Sequence, residues 1–309
     1  MKSGTLSDKI SALTLAIQES PLHNGKALEA LFGIASKRGR SQAIGALGAL
    51  VDLLGPGLLL PPDRRLRHFH SQPGLQGALA ASGMTNWVDG NKLPSGITKA
   101  HIIYWAFEDW LKEVYFKVIQ VLEVWCNDEV EHSRMRGLEL VFTLLKEKPE
   151  QEANLLRLLV HKLSDRERKV SSRASYLTLQ LQTSHPAMKG VIVRAVEQEV
   201  LRRPGRSIKT QYCAINTLNQ TILTAKDPDT TNSLLRIYFD MFADLLRDGQ
   251  VHKLADMDNF ARKSGQSNRT AMPDLLKTAD DDESTDKLVA SILTGINRAA
   301  PFAQSHNSM

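Results

Sequence analysis

The chain has 309 residues, 42% hydrophobic and 6% aromatic, and its 39 Lys+Arg against 34 Asp+Glu leave a net charge of +5. This suits a folded protein with a sizeable core, in one long domain or two compact ones, and its mild positive balance permits a nucleic-acid or acidic-protein partner without demanding one. Met1–Ser11 has no apolar leader pattern, and the most apolar window, Ala43–Leu60, is broken by Asp52 and by Gly55-Pro56-Gly57, so neither a secretory signal nor a membrane span is expected.

Apolar residues in residues 1–70 fall at helical spacing. Leu6, Ile10, Leu13 and Ile17 mark a first helix, with Thr5 or Ser7 as its cap. Pro21 is placed to open a second, faced by Leu28, Leu31, Phe32 and Ala35, and a third runs from Ser41 to Leu54. A basic segment, Arg64, Arg65, Arg67, His68 and His70, is expected to be helical at its start. Residues 71–97, rich in Gly and Pro, read as a loop or hinge with one short helix.

From residue 98 to 247 the chain reads as a helical-repeat array. Ile103, Phe107, Trp110, Val114, Val118, Val121 and Trp125 form a stripe on one long helix, whose pattern also admits a kink near Glu108. Three helix pairs follow at intervals of roughly 40 residues, the period of HEAT or armadillo repeats. Asn127 or Asp128 caps the first, with Glu131 completing a capping box on Asp128, and Pro149 starts its second helix. Ser164 with Glu167 launches the second pair, and Pro186 opens its partner helix. Pro204-Gly205 ends that pair, and Ser207 caps the third, faced by Ile208, Tyr212, Ile215 and Ile222, then by Leu234, Tyr238, Met241, Phe242 and Leu245 from Pro228 onward. Such pairs cannot bury their faces alone, so an all-α, HEAT/armadillo-like helical-repeat solenoid with an N-terminal helical lead-in is expected. Residues 248–287 read as a polar and acidic linker, including Asp280–Glu283, and 288–309 as the start of a further helix.

Charge is the sharpest local feature. Between Leu155 and Gln211, twelve basic residues face four acidic ones, leaving +8 in that span. Lys162, Arg166, Arg168, Lys169 and Arg173 form one group, and Arg202, Arg203, Arg206 and Lys209 the next inter-pair turn. In a stacked array these turns line up along one edge, which would neutralise phosphates with strong salt dependence; the alternative is a solvated face paired with local acids. Catalytic signatures are lacking: there is no P-loop, Gly-x-Gly-x-x-Gly, Gly-x-Ser-x-Gly or His-Glu-x-x-His, and no enzyme activity, cofactor or small-molecule substrate is expected. His68 and His70 make a poor metal pair, and Glu129 and Glu131 with His132 better complement the helix dipole than hold a metal. Trp105, Trp110 and Trp125 read as core, and Cys126 and Cys213 as buried reduced thiols.

Several stretches carry a resemblance: Phe107–Glu123, Leu144–Glu152, Lys162–Tyr176, His185–Lys189, Ile192–Arg194 and Gln211–Leu223, with Leu6–Leu13, Ser20–Asn24 and Thr294–Ala299 outside the array. Together they resemble the CCAAT-binding-factor/Mak family, specifically its nucleolar-complex subunit, over nearly the whole chain. Departures fall at Gln72–Pro94, Arg202–Arg206 and after Asp248. Family members continue past Thr294–Ala299 into a further CCAAT-binding-factor domain, so the chain reads as a truncated member. The resemblance implies a non-catalytic scaffold for large-subunit ribosome assembly in the nucleolus, with a second nucleolar-complex subunit and precursor rRNA as partners and no membrane. Two other readings stay open: a DNA-associated transcriptional activator, and an adaptor for acidic protein partners.

Overall fold

The computed structural model describes residues 5–37, 39–83, 88, 90, 92–94, 96–247 and 272–303, with 272–282 described by the helix backbone alone. Every regular element among the described residues is helical, and the all-α repeat architecture is the one expected. The polar stretch 249–270 lies outside the described residues. The chain divides into two compact units, Met1–Leu158 and Leu159–Met309.

The first unit opens with three mutually packed helices, α1 (Leu6–Glu19), α2 (Gly25–Ala35) and α3 (Arg40–Leu54). Thr5 caps α1 through a capping box with Asp8, which satisfies donors that the first turn leaves unpaired. Pro21 sits in the turn rather than at the start of α2, where the Asn24 side-chain amide donates to the Ala16 carbonyl at 2.7 Å. α3 presents Ala43 and Ala46 beside Leu47, Leu50 and Leu54, all fully buried. A short helix, α4 (Pro73–Ala81), precedes α5 (Lys99–Cys126), and α6 (Glu131–Glu147) packs on both α3 and α5. No break interrupts α5 near Glu108. Its buried stripe is Leu111, Val114, Tyr115, Val118, Ile119, Leu122 and Trp125, while Ile103, expected in the stripe, is 53% exposed.

The segment from Leu60 to Gln72 departs most from expectation. Its basic start is not helical; regular structure begins only with a 3₁₀ turn at Phe69–Ser71. Long-range polar contacts hold it extended instead. The buried Glu150 carboxylate accepts the Leu66 N–H at 2.6 Å and the Lys112 ammonium at 2.9 Å, and Lys112 also donates to the Leu66 carbonyl at 3.0 Å. Lys148, itself buried, donates to the Leu60 carbonyl at 3.1 Å, and Arg65 reaches Glu152 at 2.7 Å. Glu108 receives Arg64, the Arg67 N–H at 2.8 Å and the Gln72 amide at 2.9 Å. Asp128, expected to cap α6, instead takes the Arg40 guanidinium and the Val130 N–H, and α6 begins at Glu131 without a side-chain cap.

α7 (Glu152–His161) carries the unit boundary. The second unit holds α8 (Arg168–Ser184), α9 (Lys189–Val196, extended by a π turn at Glu197–Leu201), α10 (Ile208–Asn219), α11 (Pro228–Arg247) and α12 (Met272–Ala299). Within it α10 packs on α8 and α12, and α11 packs on α9 and α12. Each helix thus meets the helix two positions on, which is the stacking pattern of helical-repeat proteins. Ser207 caps α10 as expected, accepting the Thr210 N–H at 3.2 Å. At α8, by contrast, Asp165 takes the Glu167 N–H, the Ser164 hydroxyl donates to the His161 carbonyl, and no side chain caps the helix. α12 begins at Met272, well before the expected Leu288.

The Thr294–Ala299 stretch has a packing role. A Cβ on Gly295 would lie 2.5 Å from Asn219 Oδ1 and 2.7 Å from the Tyr238 ring, so only glycine lets α12 approach α10 and α11 this closely. Arg298 donates to the Thr221 carbonyl just past the end of α10, and Asn219 donates to the Ser291 carbonyl at 2.8 Å. Gly295→Ala is expected to cost about 1–3 kcal/mol through overpacking. Gly48→Ala, inside α3 with nothing within 4 Å of its added carbon, should instead stabilise by about 0.5–1 kcal/mol. Chemical denaturation of both variants checks the opposite signs.

Acid should loosen the first unit. Burial alone would raise the Glu108 carboxyl; the Arg64 guanidinium, the Arg67 N–H and the Gln72 amide together outweigh it and hold the group below its ordinary 4.5. A carboxyl depressed on folding contributes stability that is present above its ordinary value and lost as pH falls through the lower folded one. Unfolding free energy measured against pH should therefore fall more steeply below about pH 4.5 in the unmodified protein than in Glu108→Gln. Equal slopes would remove Glu108 from this role.

Candidate nucleic-acid interface

The excess positive charge of the second unit separates into two populations. One is tied to acids. Lys162 is buried with its ammonium 3.6 Å from Asp165, and Lys189, also buried, pairs with Asp227 at 2.9 Å. Arg202 and Arg236 both grip Glu197, at 2.5 and 2.8 Å, and the Glu197 side chain is only 7% exposed. That carboxylate joins the π turn after α9 to α11, and two guanidinium groups compensate its burial. Arg203 donates to Glu199 at 2.9 Å and lies 2.8 Å from His161 Nε2, which is itself 2.7 Å from Glu199. The His161 hydrogen bond first, against a smaller burial effect, and then Arg203 hold the Glu199 carboxyl below its usual range. This cluster ties the end of α7 to the turn before α10.

The remaining cations of the two basic groups are more open to solvent than Lys162 and Lys189. Arg166, Arg168, Lys169 and Lys209 are exposed, and Arg173 and Arg206 are half-buried. The Arg173 guanidinium stands 5.3 Å from the centre of the Tyr176 ring. The Gln180 amide, one turn on, donates to the Tyr176 hydroxyl at 2.8 Å. Sequence reasoning missed Tyr176, and it placed Tyr212 on the buried face of α10, where the structure leaves that ring 37% exposed and buries Ala214, Ile215, Thr217 and Leu218.

The contact between α8 and α10 sets where these side chains point. The Ser175 and Thr217 hydroxyls meet at 2.8 Å, and the Cys213 thiol bonds the Ser171 and Thr217 side chains. Burial pushes that thiol up, against the pull of those hydrogen bonds. Ser171 beside Cys213 and Ser175 beside Thr217 advance in the same sense, so the helices run parallel. Chemically, the surface offers charge neutralisation and exposed aromatic faces. Among the described residues, no group of three His, Cys, Asp or Glu side chains could hold a metal ion, and His68 pairs with Asp109 at 2.9 Å. Nor, among these residues, is any helix long and apolar enough to cross a membrane.

No family model matches the chain. Relatives do. The chain is 58% identical over its whole length to Ribosome biogenesis protein NOC1 of Chaetomium thermophilum, covering 30% of that protein. It is 31% identical over 99% of its length to CCAAT/enhancer-binding protein zeta of Homo sapiens, covering 25% of it. Nucleolar complex protein 1 of Drosophila melanogaster is 29% identical over 82% of the chain and 20% of its own length. The chain belongs to this nucleolar-complex/CCAAT-binding-factor family. It spans about a third or less of the length of these relatives.

The two populations of cations should respond differently to substitution. Replacing Arg202 and Arg236 together by Ala leaves Glu197 buried without its partners, and is expected to cost about 3–5 kcal/mol. Arg168→Ala, at an exposed position, should stay within about 0.5 kcal/mol of the unmodified protein. Thermal melts of the two variants give the comparison, and equal destabilisation would collapse the distinction.

Proposed function

We propose that this chain is a helical-repeat scaffold in ribosome biogenesis, acting without catalysis in the nucleolus on precursors of the large subunit. The single observation that carries this reading is the 58% identity, over all of its residues, to a protein named for ribosome biogenesis. The relative named as a nucleolar complex protein supports both the compartment and a second nucleolar-complex subunit as partner.

In this reading the solvent-facing cations of α8 and α10 hold precursor rRNA by its phosphates. Arg168, Lys169, Arg173 and Lys209, with Arg166 and Arg206 at the adjoining turns, supply the positive field. Lys162, Arg202 and Arg203 add to that field while paired with Asp165, Glu197 and Glu199. Phosphate binding of this kind releases counterions, so affinity falls steeply with salt and reads little sequence. The name CCAAT/enhancer-binding protein zeta supports a second reading, contact with duplex DNA at promoter elements, by the same surface.

Changing Arg166, Lys169, Arg173 and Lys209 to Glu should leave the circular dichroism spectrum unchanged. It should weaken RNA binding and flatten the plot of log affinity against log salt by about one unit of slope for each phosphate that is no longer neutralised. Tagged protein should sediment with large-subunit precursors, and the variant should shift toward free fractions. Sedimentation only in free fractions, with crosslinks to promoter DNA, would overturn ribosome assembly in favour of the second reading.

A further inference from the structure

On α8, Lys169, Arg173, Tyr176 and Gln180 follow one another at i, i+4, i+7 and i+11, on the side away from the buried Val170, Ser171, Ala174, Ser175, Thr178 and Leu181. On α10, Lys209, Tyr212 and Asn216 follow at i, i+3 and i+7, all exposed. Each helix therefore presents a cation, an aromatic ring and an amide in a row. The parallel pairing of Ser171 with Cys213 and Ser175 with Thr217 turns both rows to the same side. That register sets Tyr212 level with Val170, between Lys169 and Arg173. Cations and rings thus alternate across two neighbouring helices.

We infer that this face is a stacking platform for single-stranded RNA, which rests on the RNA-binding reading above and narrows it to unpaired bases. Phosphate neutralisation needs only the cations. It gives no reason for Tyr176 to stand 48% exposed and Tyr212 37% exposed beside them. An A-form duplex keeps its base faces inside the helix and offers these rings nothing to stack on, whereas a single strand presents a base face for each ring and a phosphate for each adjacent cation. Tyr176 is already oriented, with Arg173 against its ring and Gln180 on its hydroxyl, so little side-chain freedom remains to be lost on binding. The exposed amide of Asn216 extends the row with a donor and an acceptor for base edges, while Gln220 Oε1 lies 3.5 Å from the Ser175 hydroxyl at the contact with α8.

The test uses the full chain in fluorescence anisotropy, with an unstructured RNA oligonucleotide and an RNA duplex of equal length. The unmodified protein should prefer the single strand. Tyr176→Ala with Tyr212→Ala should weaken the single strand by on the order of 10-fold per ring and leave duplex affinity unchanged. Phe at both positions keeps the ring faces and should retain most of the single-strand preference. An alanine pair that weakens both ligands equally, or neither, with circular dichroism intact, would overturn the platform. The charge variant Lys169→Glu, Arg173→Glu, Lys209→Glu separates the two levels. If it weakens both RNAs while the alanine pair weakens neither, phosphate binding stands and stacking falls. If it too changes nothing, RNA binding at this face falls with it.

Discussion

The contact between α8 and α10 is made by short polar side chains as well as by apolar ones: Ser171 and Ser175 on one helix, Cys213 and Thr217 on the other. Small side chains allow close approach, and their hydrogen bonds specify a register that apolar packing alone would leave looser. The buried Thr217 hydroxyl lies 2.8 Å from the Ser175 hydroxyl and 2.8 Å from the Cys213 carbonyl one turn back in its own helix. An unpaired buried hydroxyl would cost about 1–3 kcal/mol, so polar groups that meet across the seam favour the register that pairs them. Everything on the solvent side of the two helices inherits that choice, including the row to which Tyr176, Tyr212 and their neighbouring cations belong.

Buried carboxylates do the corresponding work where backbone segments must be held. Glu150 and Glu108 fasten the Leu60–Gln72 segment in the first unit, and Glu197 joins the end of α9 to α11 in the second. Each is compensated by Lys or Arg, because a carboxylate removed from water without partners would be costly. A count of positive charge along the sequence therefore mixes cations that stabilise buried acids with cations that face outward. Three of the four acids already subtracted in the +8 between Leu155 and Gln211 are held by Lys162, Arg202 and Arg203, and Lys189 is engaged by Asp227 outside that span.

The repeat architecture was legible because its signals are local. Apolar spacing located the helices, Pro228 stands where α11 begins, Pro186 opens the 3₁₀ turn that leads into α9, and Ser207 caps α10. What escaped was decided by residues distant in sequence. Asp128 is an ordinary capping residue by local rules, and Arg40, far upstream, helps draw it away. Arg64 and Arg65 look like the start of a basic helix until Glu108 and Glu152 are set beside them. Tyr212 fits an apolar row with Ile208 and Ile215, but it fits a solvent row with Lys209 and Asn216 equally well. Only the parallel packing on α8 chooses between them.

The motifs that carry the family resemblance divide along the same line. Thr294–Ala299 is a packing device, with Gly295 admitting Asn219 and Tyr238 and Arg298 securing the end of α10. Lys162–Tyr176 is of two kinds at once. Lys162, Val170, Ser171 and Ala174 turn inward, Lys169 and Tyr176 are exposed, and Arg173 is half-buried beside them. Inward residues in such a stretch follow from the fold and would persist in a helical repeat of any function. An exposed helix position such as that of Tyr176 accepts many side chains at nearly equal stability. On the reading proposed above, a cation, cation, aromatic and amide in a row on α8, answered by a cation, aromatic and amide on α10, is where a function beyond holding the helices together would leave its mark.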